Sequence, residues 1–252
     1  MNAFDLEPAH PPAVNASKNA GRRLLIIDDD PKLCRLIGKY LGPLGYEVKA
    51  VHTGPKGLQC ALEWVPDAIL LDVMLPEMDG FEILKGIRRE SNVPVLMLTG
   101  RGEETDRVVG LELGADDYML KTLSPREMLA RLRAVMRRAS APAQAHNTPE
   151  AIGELSNGPL RLRPDSRTAA LGDQPLQLTA LEFDLLSTLM KSAGRVCTRE
   201  QLLSAIADRE HEVFDRSIDV HICALRQKLG DNPKKPNYIR TVRSVGYLMI
   251  EH

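Results

Sequence analysis

Six polar residues in the first half of the chain stand at the ends of short apolar runs. Asp28, Asp29 and Asp30 follow RRLLII, Asp72 closes DAILLD, Thr99 closes VPVLMLT and Lys121 closes DDYMLK. In an open parallel sheet the ligand binds outside the carboxyl ends of the strands, so these positions are the ones that can meet in space. Three carboxylates converging there repel one another unless a cation neutralises them, and an all-oxygen set suits Mg2+. A hydroxyl and an ammonium beside them can grip the oxygens of a phosphoryl group, whose transfer depends on positioning and charge neutralisation. Asp72 is then the candidate nucleophile, forming a mixed anhydride. Each residue alone has a plainer use: an Asp after a strand is usually a helix cap or turn former, and Asp30 before Pro31 suits that role. The conjunction at several strand ends is what favours the chemistry.

The elements that must position these groups are legible as alternation. From Arg22 onward, five apolar runs are each followed by an amphipathic stretch, the last being SPREMLARLRAVMRR. This is a (βα)5 order, which predicts an α/β fold with a doubly wound parallel sheet over residues 21–138. Ser124, Pro125 and Glu127 form a good start for the last helix. Residues 1–20 are rich in Pro, Ala and Asn and are expected to be a disordered tail. Residues 139–153, ASAPAQAHNTPEAIG, read as a linker. Beyond it, in residues 154–252, short alternating segments precede three helical patterns and a hairpin, YIRTVRSVGYLMI, which together predict a winged helix-turn-helix. Thr179 with Glu182, and Thr198 with Gln201, have capping-box spacing.

Composition narrows the classes. The chain has 252 residues, enough for two domains, with 43% hydrophobic and 27% charged residues, which argues against disordered, collagenous or membrane classes. No apolar run is long enough for a transmembrane helix and the first residues do not read as a signal peptide, so a cytoplasmic location with no membrane association is expected. The 4 cysteines have no CxxC spacing, which disfavours a zinc site or a disulfide framework. The net charge of −1 hides a local excess: Arg216 to Arg243 holds seven basic residues against Asp219 and Asp231. A module polarised in this way can bind a polyanion on one face.

In DRSIDVHICALRQKL, Ile218, Ile222, Leu225 and Leu229 form one buried stripe. The opposite face then carries Arg216, Ser217, Val220, His221, Ala224 and Lys228, with Arg226 at the boundary within reach of a phosphate. Such a helix fits the major groove of double-stranded DNA, while Thr241 and Arg243 in the hairpin are placed for phosphates or the minor groove. The plainer alternatives are solvation for the charged residues and helix packing for His221. In the first domain, Arg107, Glu112, Asp116, Asp117, Arg131 and Arg133 can pair with a twin across a two-fold interface, or form a solvated charged face.

The stretches LLIIDDD, DAILLDVMLPEMDGFEILKGIR, VPVLMLTGRGEETD and GADDYMLKTLSPREML resemble the receiver domain of bacterial response regulators. FDRSIDVHI, LRQKL and IRTVRSVGY resemble the winged helix of the OmpR/PhoB family, the first of them especially its CpxR branch. The resemblance implies that Asp72 accepts a phosphoryl group from a sensor histidine kinase. It implies that Asp28, Asp29, Asp72 and the backbone carbonyl of Met74 hold Mg2+, and that Thr99 and Lys121 grip the phosphoryl group. Tyr118 matches the aromatic that turns inward as Thr99 moves. It further implies homodimerisation through the charged face named above, DNA contacts from Arg216, His221, Arg226 and Arg243, and RNA polymerase as a candidate partner. The protein would be a switch, not an enzyme. Two residues depart from the family pattern. Thr122 replaces the usual Pro after the lysine, which predicts an altered placement of Lys121, and Gly100 replaces a common Ala, which predicts a short-lived acyl phosphate. A phosphohydrolase of the haloacid-dehalogenase type is the rival reading, but it wants a second carboxylate where Met74 stands. A DNA-binding protein whose receiver no longer signals is a second rival, opposed by the intact acidic set.

Overall fold

A computed structural model describes residues 21–100, 104–140, 153–206 and 216–252, with the side chains of residues 104, 105, 140, 216 and 217 outside the description. The expected tail at 1–20 and residues 141–152 of the expected linker lie outside the described residues. The chain divides into two compact units, residues 1–139 and 140–252.

The first unit is the expected alternation: β1 (Arg22–Ile27), α1 (Pro31–Leu41), β2 (Tyr46–Val51), α2 (Gly54–Glu63), β3 (Ala68–Asp72), α3 (Gly80–Glu90), β4 (Val95–Thr99), α4 (Glu104–Glu112), β5 (Asp117–Leu120) and α5 (Pro125–Ser140). All strands run parallel in the order β2-β1-β3-β4-β5, so the order reverses at β1 and β3, where the crevice opens. Every residue of β3 and β4 is buried, as expected for strands covered on both faces. Leu24, Ile26, Leu70, Leu96 and Leu98 join α1 and α5 in one core, and the alternate residues face the other helices. Asp30 caps α1, accepting from the backbone N–H groups of Lys32 (2.8 Å) and Leu33 (3.2 Å), so the plainer use anticipated for it is the one found.

The second unit starts with four short antiparallel strands, β6 (Leu155–Asn157), β7 (Leu160–Arg163), β8 (Thr168–Leu171) and β9 (Gln174–Pro175). There follow α6 (Ala180–Lys191), β10 (Val196–Thr198), α7 (Arg199–Ile206), α8 (Arg216–Leu229), β11 (Ile239–Val242) and β12 (Gly246–Met249). Both capping boxes form: Thr179 and Glu182 bond each other's backbone, as do Thr198 and Gln201. One element was not foreseen. Val196–Thr198 pairs with β12 and turns the expected hairpin into a three-stranded sheet in the order β10-β12-β11.

Candidate functional site

The sheet register assembles the acidic site. Ile27 pairs with Leu71, which brings Asp28 and Asp72 level on neighbouring strands one residue past the last apolar pair. Asp72 pairs with Leu98, so Thr99 ends the next strand one residue further on. The Lys121 N–H donates to the Thr99 carbonyl at 2.7 Å and closes the set from β5. The far side of the site is packed tightly. A Cβ on Gly80 would collide with the Asp72 carbonyl, so only glycine lets α3 begin this close to the end of β3.

Carboxylate oxygens of Asp28, Asp29 and Asp72 lie within 4.8 Å of one another, with Asp28 and Asp72 buried and Asp29 exposed. The Lys121 ammonium bridges the two buried acids, 2.9 Å from Asp28 Oδ2 and 2.8 Å from Asp72 Oδ2. Burial alone would lower the lysine's pKa, but the bonds to Asp72 and Asp28 hold it above its ordinary value. Burial pushes the Asp72 carboxyl up to about 6, and the Asp28 charge adds to this against the opposing pull of Lys121 and the Met74 backbone. Burial and the Asp28 charge thus bring Asp72 closer to neutrality than an exposed carboxyl. With Thr122 in place of proline, the Lys121 side chain reaches both carboxylates, and no peptide bond among the described residues is cis. At Gly100 an added Cβ would meet nothing within 4 Å, so packing does not require the missing methyl.

Tyr118 is buried, its ring turned inward against α4. A Cβ on Gly110 would come within 3.3 Å of both this ring and that of Phe81. The Met74 side chain is 74% exposed.

The residues expected on the dimer face separate. Glu112 is exposed and Arg107 half-buried. Arg131 donates to Asp117 (3.0 Å) and Glu127 (3.1 Å) of its own chain. Asp116 is buried instead of presented: its Oδ2 accepts from Arg88 Nη2 at 2.8 Å and from the Val95 N–H at 2.9 Å. Arg88 also donates to the carbonyls of Gly114 and Val93, making it a clamp that no spacing in the chain signals. Arg133 is turned away toward the Tyr46 hydroxyl on the opposite edge of the sheet; burial raises that group's pKa and the guanidinium opposes the rise.

The second unit also corrects expectations. His221 is only 3% exposed and Arg226 only 9%, and Val220 and Ala224 are buried with them, so the outward face of α8 is not the one expected. Arg226 Nη2 donates to the Ile239 carbonyl (2.6 Å) and Thr241 Oγ1 (2.9 Å), and its guanidinium lies 5.6 Å from the Tyr247 ring. It thus binds α8 to β11 and β12. Lys228 is drawn to the buried Glu182 at 2.6 Å. The exposed described side chains of α8 are Asp219 and Gln227, with Cys223 half-buried beside them. Asp219 accepts from Tyr247 Oη at 2.8 Å and from Arg199 Nε at 2.8 Å, tying α7, α8 and β12 together. Arg243 is exposed as expected; Thr241 is exposed too, with its hydroxyl engaged by Arg226. The side chain of Arg216 lies outside the described residues.

Comparison with known proteins agrees with this division. Residues 24–133 match the response regulator receiver domain, and residues 173–249 match the C-terminal domain of transcriptional regulatory proteins. The alkaline phosphatase synthesis transcriptional regulatory protein PhoP of Bacillus subtilis is 42% identical over 233 residues, covering 91% of this chain and 97% of its own. The transcriptional regulatory protein CpxR of Escherichia coli K12 is 40% identical over 228 residues, covering 90% of this chain and 98% of its own. The solved structure of a RitR mutant aligns with a TM-score of 0.74 at 30% identity, covering 92% of this chain and 100% of that one. A receiver sheet with its acidic crevice, a winged helix following it in the chain and relatives matched over almost their whole length leave one assignment: this chain belongs to the OmpR/PhoB family of two-component response regulators, transcriptional regulators that bind DNA and are not enzymes.

Proposed function

We propose that Asp72 accepts a phosphoryl group from the phosphohistidine of a sensor histidine kinase, and that this controls binding of a homodimer to double-stranded DNA. The observation that carries the reading is the Lys121 ammonium held between Asp28 and Asp72. A cation shared by two buried acids at a strand end is poised to follow one of them when its charge moves onto a phosphate. An Asp72 oxygen attacks phosphorus, the O–P bond forms as the N–P bond breaks, and the electron pair leaves with the kinase imidazole, which takes up a proton. Thr99 and Lys121 contact the transferred oxygens. Asp28, Asp29 and Asp72 fit a hard divalent cation, with the Met74 carbonyl as a further oxygen, and Mg2+ bound there supplies neutralisation of the charge gathered during transfer. Gly100 leaves room for attacking water, which favours a short-lived acyl phosphate.

Tyr118 and Thr99 form the switch, and phosphorylation shifts an existing equilibrium toward the dimer. The dimer face is best drawn around Glu112, Arg107, the Arg131–Asp117 pair and the exposed Val109 and Leu120, without Asp116 and Arg133. In the second unit, α8 enters the major groove with Arg216 at its start, and Arg243 and Thr241 approach the backbone or minor groove. His221 and Arg226 position the helix. RNA polymerase is a further partner of the DNA-bound dimer, and the site of action is the cytoplasm; among the described residues no helix is long and apolar enough to cross a membrane.

The test is to treat the chain with acetyl phosphate and Mg2+ and locate the added group by mass spectrometry. Modification of Asp72, abolished in Asp72→Asn and by chelation, with tighter DNA binding and a larger hydrodynamic mass, is expected. Modification elsewhere, or DNA affinity indifferent to treatment, overturns the reading.

A further inference from the structure

We infer that His52 is a positioning residue for the acidic site, pinning the peptide unit between Asp28 and Asp29 from the neighbouring strand. The inference rests on the reading of those acids as the cation site. His52 belongs to none of the acidic or DNA-facing sets, and its place follows from the sheet. The Asp28 N–H donates to the Val51 carbonyl at 3.1 Å, the last rung joining β1 to β2. Beyond that rung the Asp28 carbonyl has left the ladder. His52, the first residue after β2, places Nδ1 2.8 Å from that oxygen. A carbonyl oxygen only accepts, so Nδ1 carries the proton and the tautomer is fixed by its partner. Cys34 Sγ approaches the same oxygen at 3.6 Å as a second, weaker donor.

The consequence falls on Asp29. A peptide unit is planar, so fixing the direction of the Asp28 carbonyl also fixes the N–H and Cα of the residue that follows. The Asp28 side chain folds back within the same loop, its Oδ1 accepting from the Asp30 N–H at 2.9 Å. Asp29 is exposed, so the direction of its carboxylate depends on the backbone that carries it. Outer partners that orient cation ligands are worth about 10–100-fold in affinity.

Two isosteres test whether the Nδ1 contact carries this role. Asn places an amide nitrogen where Nδ1 stands; Gln places it where Nε2 stands, pointing away from the carbonyl. In the full chain, calorimetric titration with MgCl2 is expected to give about tenfold weaker binding for His52→Ala and His52→Gln, with His52→Asn close to the parent. In the metal-free protein, the Asp29 amide resonance is expected to move in the Ala and Gln variants and to stay in Asn. Parental Mg2+ affinity in His52→Ala, an Asn variant as weak as Ala, or an unmoved Asp29 amide overturns the inference. A stitch alone would lower the melting temperature of the Ala and Gln variants and leave their Mg2+ affinity at the parental value. If the parent itself binds no Mg2+ while the Asp29 amide responds as described, the cation reading fails and the pinning of the peptide stands.

Discussion

The two units treat their charged residues in opposite ways. In the receiver, Asp28, Asp72 and Lys121 are brought together at the end of a sheet, where the hydrogen-bonded ladder stops and the next side chain points into the crevice. In the winged helix, His221 and Arg226 are folded back into their own domain, and Arg226 joins the helix to the wing. The difference is one of geometry. A strand end fixes a side chain's address to within one residue, because register and alternation leave no freedom. A helix turns by about 100° per residue, and a long side chain at the edge of the apolar stripe can turn outward to a ligand or inward to a neighbour. Burial of polar groups thus has two meanings here: at the crevice it shifts the acidity of Asp72, and in α8, as at the Arg88–Asp116 pair, it holds the structure in shape.

The largest test of this contrast is Lys121→Met. If the ammonium follows the transferred phosphate, uptake from acetyl phosphate falls about 10²–10³-fold. Mg2+ affinity should rise, because no ammonium then competes for the Asp28 and Asp72 oxygens. Rates read on phosphate-affinity gels and calorimetry with MgCl2 check the two halves. Loss of both together would mean that the lysine merely props the acids apart.

On the other side of the comparison, Arg226→Ala is expected to cost the second unit about 2–4 kcal/mol in urea unfolding, since it leaves the Ile239 carbonyl without this donor. Arg243→Ala should stay within about 0.5 kcal/mol of the parent, yet weaken DNA binding and lower the dependence of log affinity on log salt by about one. Were Arg226→Ala as stable as Arg243→Ala, the inward reading of α8 would be wrong.

A smaller effect sharpens the receiver half. Asp72 has a carboxyl pushed from 3.8 to about 6 by burial, helped by Asp28. A carboxyl with a raised folded-state pKa favours the folded state only while protonated; that contribution is complete below about 4 and disappears as pH rises through about 6. Asp72→Asn lacks this titration. In chelator, the variant's stability over the parent should therefore grow across this window to the order of 1–3 kcal/mol and then level. A difference that stays flat from about pH 4 to about pH 8 would show that Asp72 is not under this strain.

The same geometry explains what is legible in the chain itself. A strand covered on both faces is a continuous apolar run, and its end is the first polar residue, so Asp28, Asp72, Thr99 and Lys121 announce themselves, and so does the order of elements. Asp116 escapes such reading because it follows a Gly-Ala turn and looks like a surface acid; its partner Arg88 lies 28 residues earlier, with no periodicity linking them. Val196–Thr198 is three residues long and becomes a strand only through β12, some fifty residues later. The stripe Ile218, Ile222, Leu225 and Leu229 locates one buried line on α8, but α6, α7 and the wing enclose more of the helix than one line. His52 carries no motif at all; only the register that sets it beside Asp28 reveals it.

The smallest expected effect probes the polar joint that replaces the expected outward face. Tyr247 is buried, and its hydroxyl donates to Asp219 at 2.8 Å while Arg199 grips the same carboxylate. Burial first, and then the bond to Asp219 and its charge, push the tyrosine up to about 12 from an ordinary value of 10. A raised folded-state pKa means that the bond contributes fully below about pH 10 and is lost as pH climbs toward about 12. Tyr247→Phe should cost about 1 kcal/mol at neutral pH, and the gap between parent and variant should close on the alkaline side. Paired urea titrations at about pH 8 and about pH 11.5 measure this. A gap that persists unchanged at the higher pH would mean that the bond to Asp219 does not hold the phenol protonated, and no gap at either pH would mean that ring packing against Arg226, which Phe keeps, is what holds α8 to the wing.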